Sequence, residues 1–232
     1  MRKIISAVSI ATLLISCDVL QQLPTTGGPV TEAEAGQGIK QALNQGLGKA
    51  VNQLNVTDGF FGSQFYKILL PPEAQRVENT LRTLGLGNLV DRAVLSINRG
   101  AEDAVGYATP IFVDAITSMT INDAINLVRG GDTSITHFFR VKTSQRLMDA
   151  FLPVIQRSLD KVDATKYYGD LVRSYNSFPT TIRKLDPDLA GYVTLKANDA
   201  LFNLIAKEEK NIRENPVART TEILRKVFGG LF

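Results

Sequence analysis

The chain has 232 residues, with 26 lysines and arginines against 23 aspartates and glutamates, one histidine, one cysteine and no tryptophan. A single histidine excludes multi-histidine zinc sites and paired-histidine mechanisms, and a single cysteine excludes an internal disulfide or a paired-cysteine metal site. Setting aside Arg2 and Lys3 leaves 24 basic against 23 acidic residues, too balanced for the single-sign field of a nucleic-acid binder, so no nucleic-acid partner is expected.

Arg2 and Lys3 open a segment in which residues 4–15 are mostly apolar, and Leu14, Ile15 and Ser16 lead directly to Cys17. A positive start, a short apolar run and a small residue before a cysteine read as a bacterial lipoprotein signal peptide over residues 1–16. The run is too short for a permanent span, which needs about 20 apolar residues. The expected membrane link is therefore acylation of Cys17, worth about 0.8 kcal/mol per buried methylene. This places the protein in a bacterial cell envelope and leaves open which membrane carries it. Residues 17–30, with Pro24, Gly27, Gly28 and Pro29, read as a lipidated cysteine and flexible tether. Its thirteen residues after Cys17 have a root-mean-square reach of about 20 Å.

Residues 31–232 read as one helical domain. Thr31 and Glu34 have capping-box spacing, and Ile39, Leu43, Leu47, Val51 and Leu54 then recur on one face. Gly36, Gly38, Gly46 and Gly48 each cost up to about 1 kcal/mol within a helix, which close backbone packing would offset. Residues 58–62 read as a loop presenting Phe60 and Phe61. A helix follows from near Glu73 with stripe residues Val77, Leu81 and Leu84, ended by Gly85 and Gly87, and another carries Leu89, Ala93, Ile97 and Ala101. Pro110 predicts a kink or break near Ala108. Thr120 and Asp123 start a short helix that Gly130 and Gly131 stop. Residues 133–162, with a bend allowed at Pro153, and then 164–177, 188–214 and 218–228 complete the pattern. Alternating Val, Ile and Thr runs are scarce, so the predicted class is all-α, a bundle of about eight helices.

The chain carries no nucleophile elbow, phosphate loop or dinucleotide fingerprint on a strand, and no cofactor is expected. His137, beside Phe138 and Phe139, reads as a structural residue. The most suggestive polar group is Asn98, Arg99, Glu102 and Asp103, in which Arg99 and Glu102 lie one turn apart. Turned inward, Arg99 and Glu102 would line a pocket with Asp114 and Asp123, while an ordinary solvated face is the plainer alternative. Lys207, Glu208, Glu209, Lys210, Arg213 and Glu214 read as a solvent-facing ion-pair stripe.

Several motifs in order resemble the bacterial family catalogued as domain of unknown function 4197. They are Asp58-Gly59-Phe60, Ile68-Leu69-Leu70-Pro71, Asn98-Arg99-Gly100-Ala101-Glu102, Met119-Thr120 with Asp123-Ala124, Ile212-Arg213-Glu214-Asn215-Pro216, and Val227-Phe228-Gly229. The resemblance runs from about residue 36 to 228. It implies an exported helical protein and supplies no catalytic residues. Gly100 stands where the family pattern tends to alanine. The expected function is a membrane-anchored lipoprotein with a non-enzymatic role toward an envelope protein or lipid. The alternative is an enzyme using Glu102, Asp114 and Asp123, with or without a divalent cation, and Arg99 as an anion partner.

Overall fold

The computed structural model describes residues 29–85, 87–177 and 184–230. The signal peptide, Cys17 and most of the tether lie outside the described residues. Thr31 opens α1 (Glu32–Leu54) with both halves of the expected capping box, its Oγ1 accepting the Glu34 N–H at 3.3 Å and its own N–H donating to Glu34 Oε2 at 3.0 Å. A 3-10 turn (Pro72–Ala74) leads into α2 (Gln75–Thr83), followed by α3 (Gly87–Val105). Pro110 acts as a break: α3 ends, and α4 (Ala108–Thr117) begins with the proline in its first turn, where a missing N–H costs no intrahelical bond. Thr120 and Asp123 form a second capping box at α5 (Ile121–Arg129), and Gly130 follows as its C-cap.

The long helix α6 (Ser134–Asp160) runs through Pro153, and α7 (Ala164–Ser177) follows it. Asp188 caps α8 (Leu189–Glu214) by accepting the Gly191 N–H at 2.8 Å. The last helix begins later than the periodicity suggested. Pro216 and Asn215 set a 3-10 turn (Pro216–Ala218), and Thr221 then caps α9 (Glu222–Gly229). The described residues thus form nine α-helices and no strand, an all-α fold.

Helix α1 packs on α8, α8 on α6, and α6 on α3, while α4 crosses α6 and α5 covers α1. At the centre, Phe112 of α4 lies 6.4 Å from Phe139 of α6 and 5.5 Å from Phe202 of α8, centroid to centroid, and all three rings are fully buried. Such ring pairs add about 0.5–1.5 kcal/mol each beyond the area they bury. Where α3 meets α6 the side chains are small. Ser96 Oγ donates to the Ser158 carbonyl at 2.5 Å, and a Cβ on Gly100 would fall 3.0 Å from Ser158 Cβ and 3.3 Å from Ile155 Cα.

The glycines of α1 divide by surroundings. A Cβ on Gly38 would stand 2.7 Å from Val227 Cγ2 of α9, whereas one on Gly48 would meet nothing within 4 Å. Close packing therefore explains Gly38 and leaves Gly48 unexplained. Gly48→Ala is expected to raise stability by up to about 1 kcal/mol through helix propensity. Gly38→Ala is expected to lower it by about 1–3 kcal/mol through overpacking. Urea unfolding of the two variants checks the opposite signs.

Beside Gly38, Lys226 Nζ donates to Glu34 Oε1 at 2.5 Å, tying α9 to the start of α1. That bond and the Thr31 groups lower the Glu34 pKa from 4.5 to about 2. Since the folded pKa is depressed, the stabilisation is present above the ordinary value and is lost as pH falls from about 4.5 through about 2. A carboxyl carbon NMR titration should place the Glu34 midpoint near 2, returning toward 4.5 in Lys226→Ala.

Candidate functional site

Asp58, at φ +67°, and Gly59 fold the chain sharply back over the end of α1. No side chain fits at Gly59, since a Cβ there would lie 2.5 Å from the Leu54 carbonyl oxygen. The turn drives Phe60 into the core rather than presenting it, while Phe61 stays half-buried beneath cations, with Lys67 Nζ 4.0 Å from its ring centroid.

Glu102, buried on α3, receives this turn: its Oε1 accepts the N–H groups of Phe60 and Phe61, each at 3.1 Å. Its other oxygen takes a 2.6 Å bond from Arg99, whose second arm reaches Asp58 at 2.8 Å. Glu102 first and Asp58 second raise the Arg99 pKa from the ordinary arginine value. One turn earlier, buried Asn98 donates to the Ile68 carbonyl and accepts the Ile68 N–H, both at 2.8 Å. Arg99 and Glu102 therefore do come together, as a clamp on the main chain of residues 58–68.

The other two candidate residues are engaged elsewhere. Asp114 is an exposed partner of Arg146 at 2.7 Å, joining α4 to α6, and Asp123 is held in the α5 capping box. Among the described residues no group of three His, Cys, Asp or Glu side chains is placed to hold a metal ion. His137 is exposed in the first turn of α6 and makes no side-chain hydrogen bond among the described residues.

The charged run near the end of α8 is not the solvent-facing stripe its spacing suggested. Glu208, Glu209 and Arg213 are buried. Glu209 accepts the N–H groups of Ile135 and Thr136 at 3.1 and 2.8 Å at the start of α6, and Arg213 donates to Glu209, to the Leu127 and Val128 carbonyls at the end of α5, and to Ser134. Glu208 binds Gln45 and Lys49 of α1 at 2.6 and 2.7 Å. Lys210 and Glu214 remain on the surface, 3.4 Å apart.

A groove of about 650 Å³ lies between residues 65–75 and α8. Its α8 wall is a single helical stripe, Tyr192, Lys196, Asp199, Asn203 and Lys207, and Phe65 stands at its rim 83 % exposed. Tyr66 bridges the walls, its hydroxyl donating to Asn203 and accepting from Lys207 at 2.8 and 2.9 Å. Lys196 lies over Tyr192 and Lys207 over Phe65 and Tyr66, at 5.3 to 5.6 Å. A second hollow of about 520 Å³ continues the groove past shared residues Pro72 and Tyr192. In sequence the stripe is interleaved with core residues and carries no motif, so only the 4-3-4-4 spacing of these residues signalled it.

The buried Glu209–Arg213 pair of α8 and the exposed pairs should respond differently to truncation. Arg213→Ala leaves Glu209 charged and buried and frees the α5 carbonyls, and is expected to cost about 3–5 kcal/mol. Arg146→Ala, in an exposed pair, is expected to cost under about 1 kcal/mol. Denaturant unfolding of the two variants measures the difference.

No curated protein and no solved structure matches the chain. A family match spans residues 29–229, almost all of the described structure, and covers the α3 clamp, the α8 groove and the buried α8 charges alike. The chain therefore belongs to the family described as Protein of unknown function (DUF4197).

Proposed function

We propose that this protein is a membrane-tethered binding module, an exported bacterial lipoprotein acylated at Cys17, whose helical domain takes up an envelope partner in the groove beside α8. The observation that carries the binding role is the groove itself. Its volume of about 650 Å³ is in the range of ligand sites, about 300–1,000 Å³, and it combines aromatic rings, amides and ammonium groups.

The carboxylates offer no comparable support for the enzymatic alternative. Glu102 is committed to two main-chain amides and Arg99, Asp123 to a helix cap, and Asp114 to an exposed arginine. A carboxylate-bound Mg or Ca needs several oxygens meeting at one point. Anchoring rests on the segment ending at Cys17. Among the described residues no helix is long and apolar enough to cross a membrane, which is consistent with attachment through lipid.

Metabolic labelling with a fatty-acid probe, followed by membrane fractionation, tests the anchor. The wild type is expected to take up label and sediment with membranes, and Cys17→Ala to lose the label and appear in the soluble fraction. Label or sedimentation unchanged by the substitution would overturn the lipoprotein assignment.

A further inference from the structure

Resting on the reading of the groove as a binding site, we infer that its occupant is an acidic peptide segment in extended conformation, added as a strand along residues 67–69. The first observation is the state of the main chain there. Asn98 takes both the N–H and the C=O of Ile68 with one side-chain amide, which requires the two groups to point the same way, as they do in a β-strand. In that geometry the flanking Lys67 C=O and Leu69 N–H point to the opposite edge. Neither forms a hydrogen bond among the described residues. Residues 67–69 are thus a short extended stretch with one edge occupied by Asn98; on the other edge the Lys67 N–H is taken by the Ser63 carbonyl at 3.3 Å, and the Lys67 C=O and Leu69 N–H are left as the acceptor and donor that a parallel added strand would pair with.

The second observation is charge. Lys67, Lys196 and Lys207 line the groove, and none has an ion-pair partner among the described residues. The one carboxylate among the groove-lining residues, Asp199, is bonded to Arg140 at 2.7 Å. The groove that residues 67–69 line is therefore cationic, which favours carboxylates on an incoming chain. Exposed Phe65 and Leu69 offer apolar contact to the alternate side chains of such a strand.

Length gives the third. From Lys207 to Tyr192, the span of the groove on α8, the helix rises about 23 Å at 1.5 Å per residue. An extended peptide of about seven residues covers that distance at 3.3 Å each.

The test uses the full chain in detergent and a fluorescein-labelled octapeptide of alternating glutamate and valine, read by anisotropy and by amide hydrogen exchange. Saturable binding is expected, with slowed exchange at Leu69. Binding should weaken by roughly tenfold for the same peptide N-methylated at alternate residues, which removes strand-pairing donors, and by a similar factor for the Lys196→Glu, Lys207→Glu double variant. An alternating lysine and valine peptide should not bind. Absence of binding, unchanged exchange at Leu69, or equal affinity for the N-methylated peptide overturns strand addition. Preferential uptake of phosphatidylglycerol vesicles also overturns it, in favour of a lipid ligand that leaves the binding-module reading in place. The Cys17→Ala labelling reads the anchor separately, so each failure is visible by itself.

Discussion

Glu209 and Arg213 are one turn apart on α8, and between them they determine how three helices meet. The carboxylate lies on the first amides of α6, where the helix dipole is positive, and the guanidinium lies on the last carbonyls of α5, where it is negative. Burial of an isolated charge would cost several kcal/mol, but here each charge is satisfied by its partner and by helix ends that otherwise lack hydrogen bonds. The arrangement has one solution in register. Shifting α8 by one residue against the α5–α6 junction would bring Lys210 and Glu214 to the two helix ends with each charge at the wrong pole, or Glu208 and Ile212 with the α5 carbonyls left unpaired. Arg219 repeats the device at the end of α8, donating to the Ile212 and Arg213 carbonyls at 2.9 and 2.8 Å.

Helix α3 holds an irregular segment in the same manner. Asn98 and Glu102 are four residues apart on its inner face and fix Ile68 and the Phe60–Phe61 amides. A loop this long has little regular hydrogen bonding of its own, so side chains from a rigid helix must supply it. The result is a non-helical wall with a defined position opposite α8. The small residues Ser96, Gly100 and Ser158 let α6 come close enough to keep α3 in place. The loss of helix propensity at Gly100 is thus offset by packing.

Both capping boxes, the break at Pro110 and the Gly130 stop were legible in the sequence because each depends on chemistry within four residues. The position of α9 was less legible, since Thr221 competes with a tight turn at Pro216 that only the folded chain reveals. The burial of the α8 charges was not legible, because Glu209 and Arg213 at i and i+4 have the same spacing as a solvated pair. What separates the cases is the junction of α5 and α6, far away in sequence. The grouping of Arg99 with Glu102 was visible for the same local reason, whereas the engagement of Asp114 by Arg146 and of Asp58 by Arg99 depends on tertiary contact. The groove was less legible because its two walls, residues 65–75 and the α8 stripe from Tyr192 to Lys207, are more than a hundred residues apart in sequence.

The antiparallel pairing of α1 with α8 separates the groove from the start of the domain. The start of α1 lies with α9 and α5, as the Glu34–Lys226 bond and the approach of Gly36 to Ala124 require, while Gln45 and Lys49 lie opposite Glu208. The near end of the groove is therefore about 25 Å along α1 from the point where the preceding chain joins the domain, at 1.5 Å per residue. Helix α1 thus separates its own first residue from the groove by most of its length, and the far end of the groove lies a further ~20 Å away along α8. A ligand in the groove and a contact made at the start of α1 would therefore lie on well-separated parts of the domain, joined by two antiparallel helices.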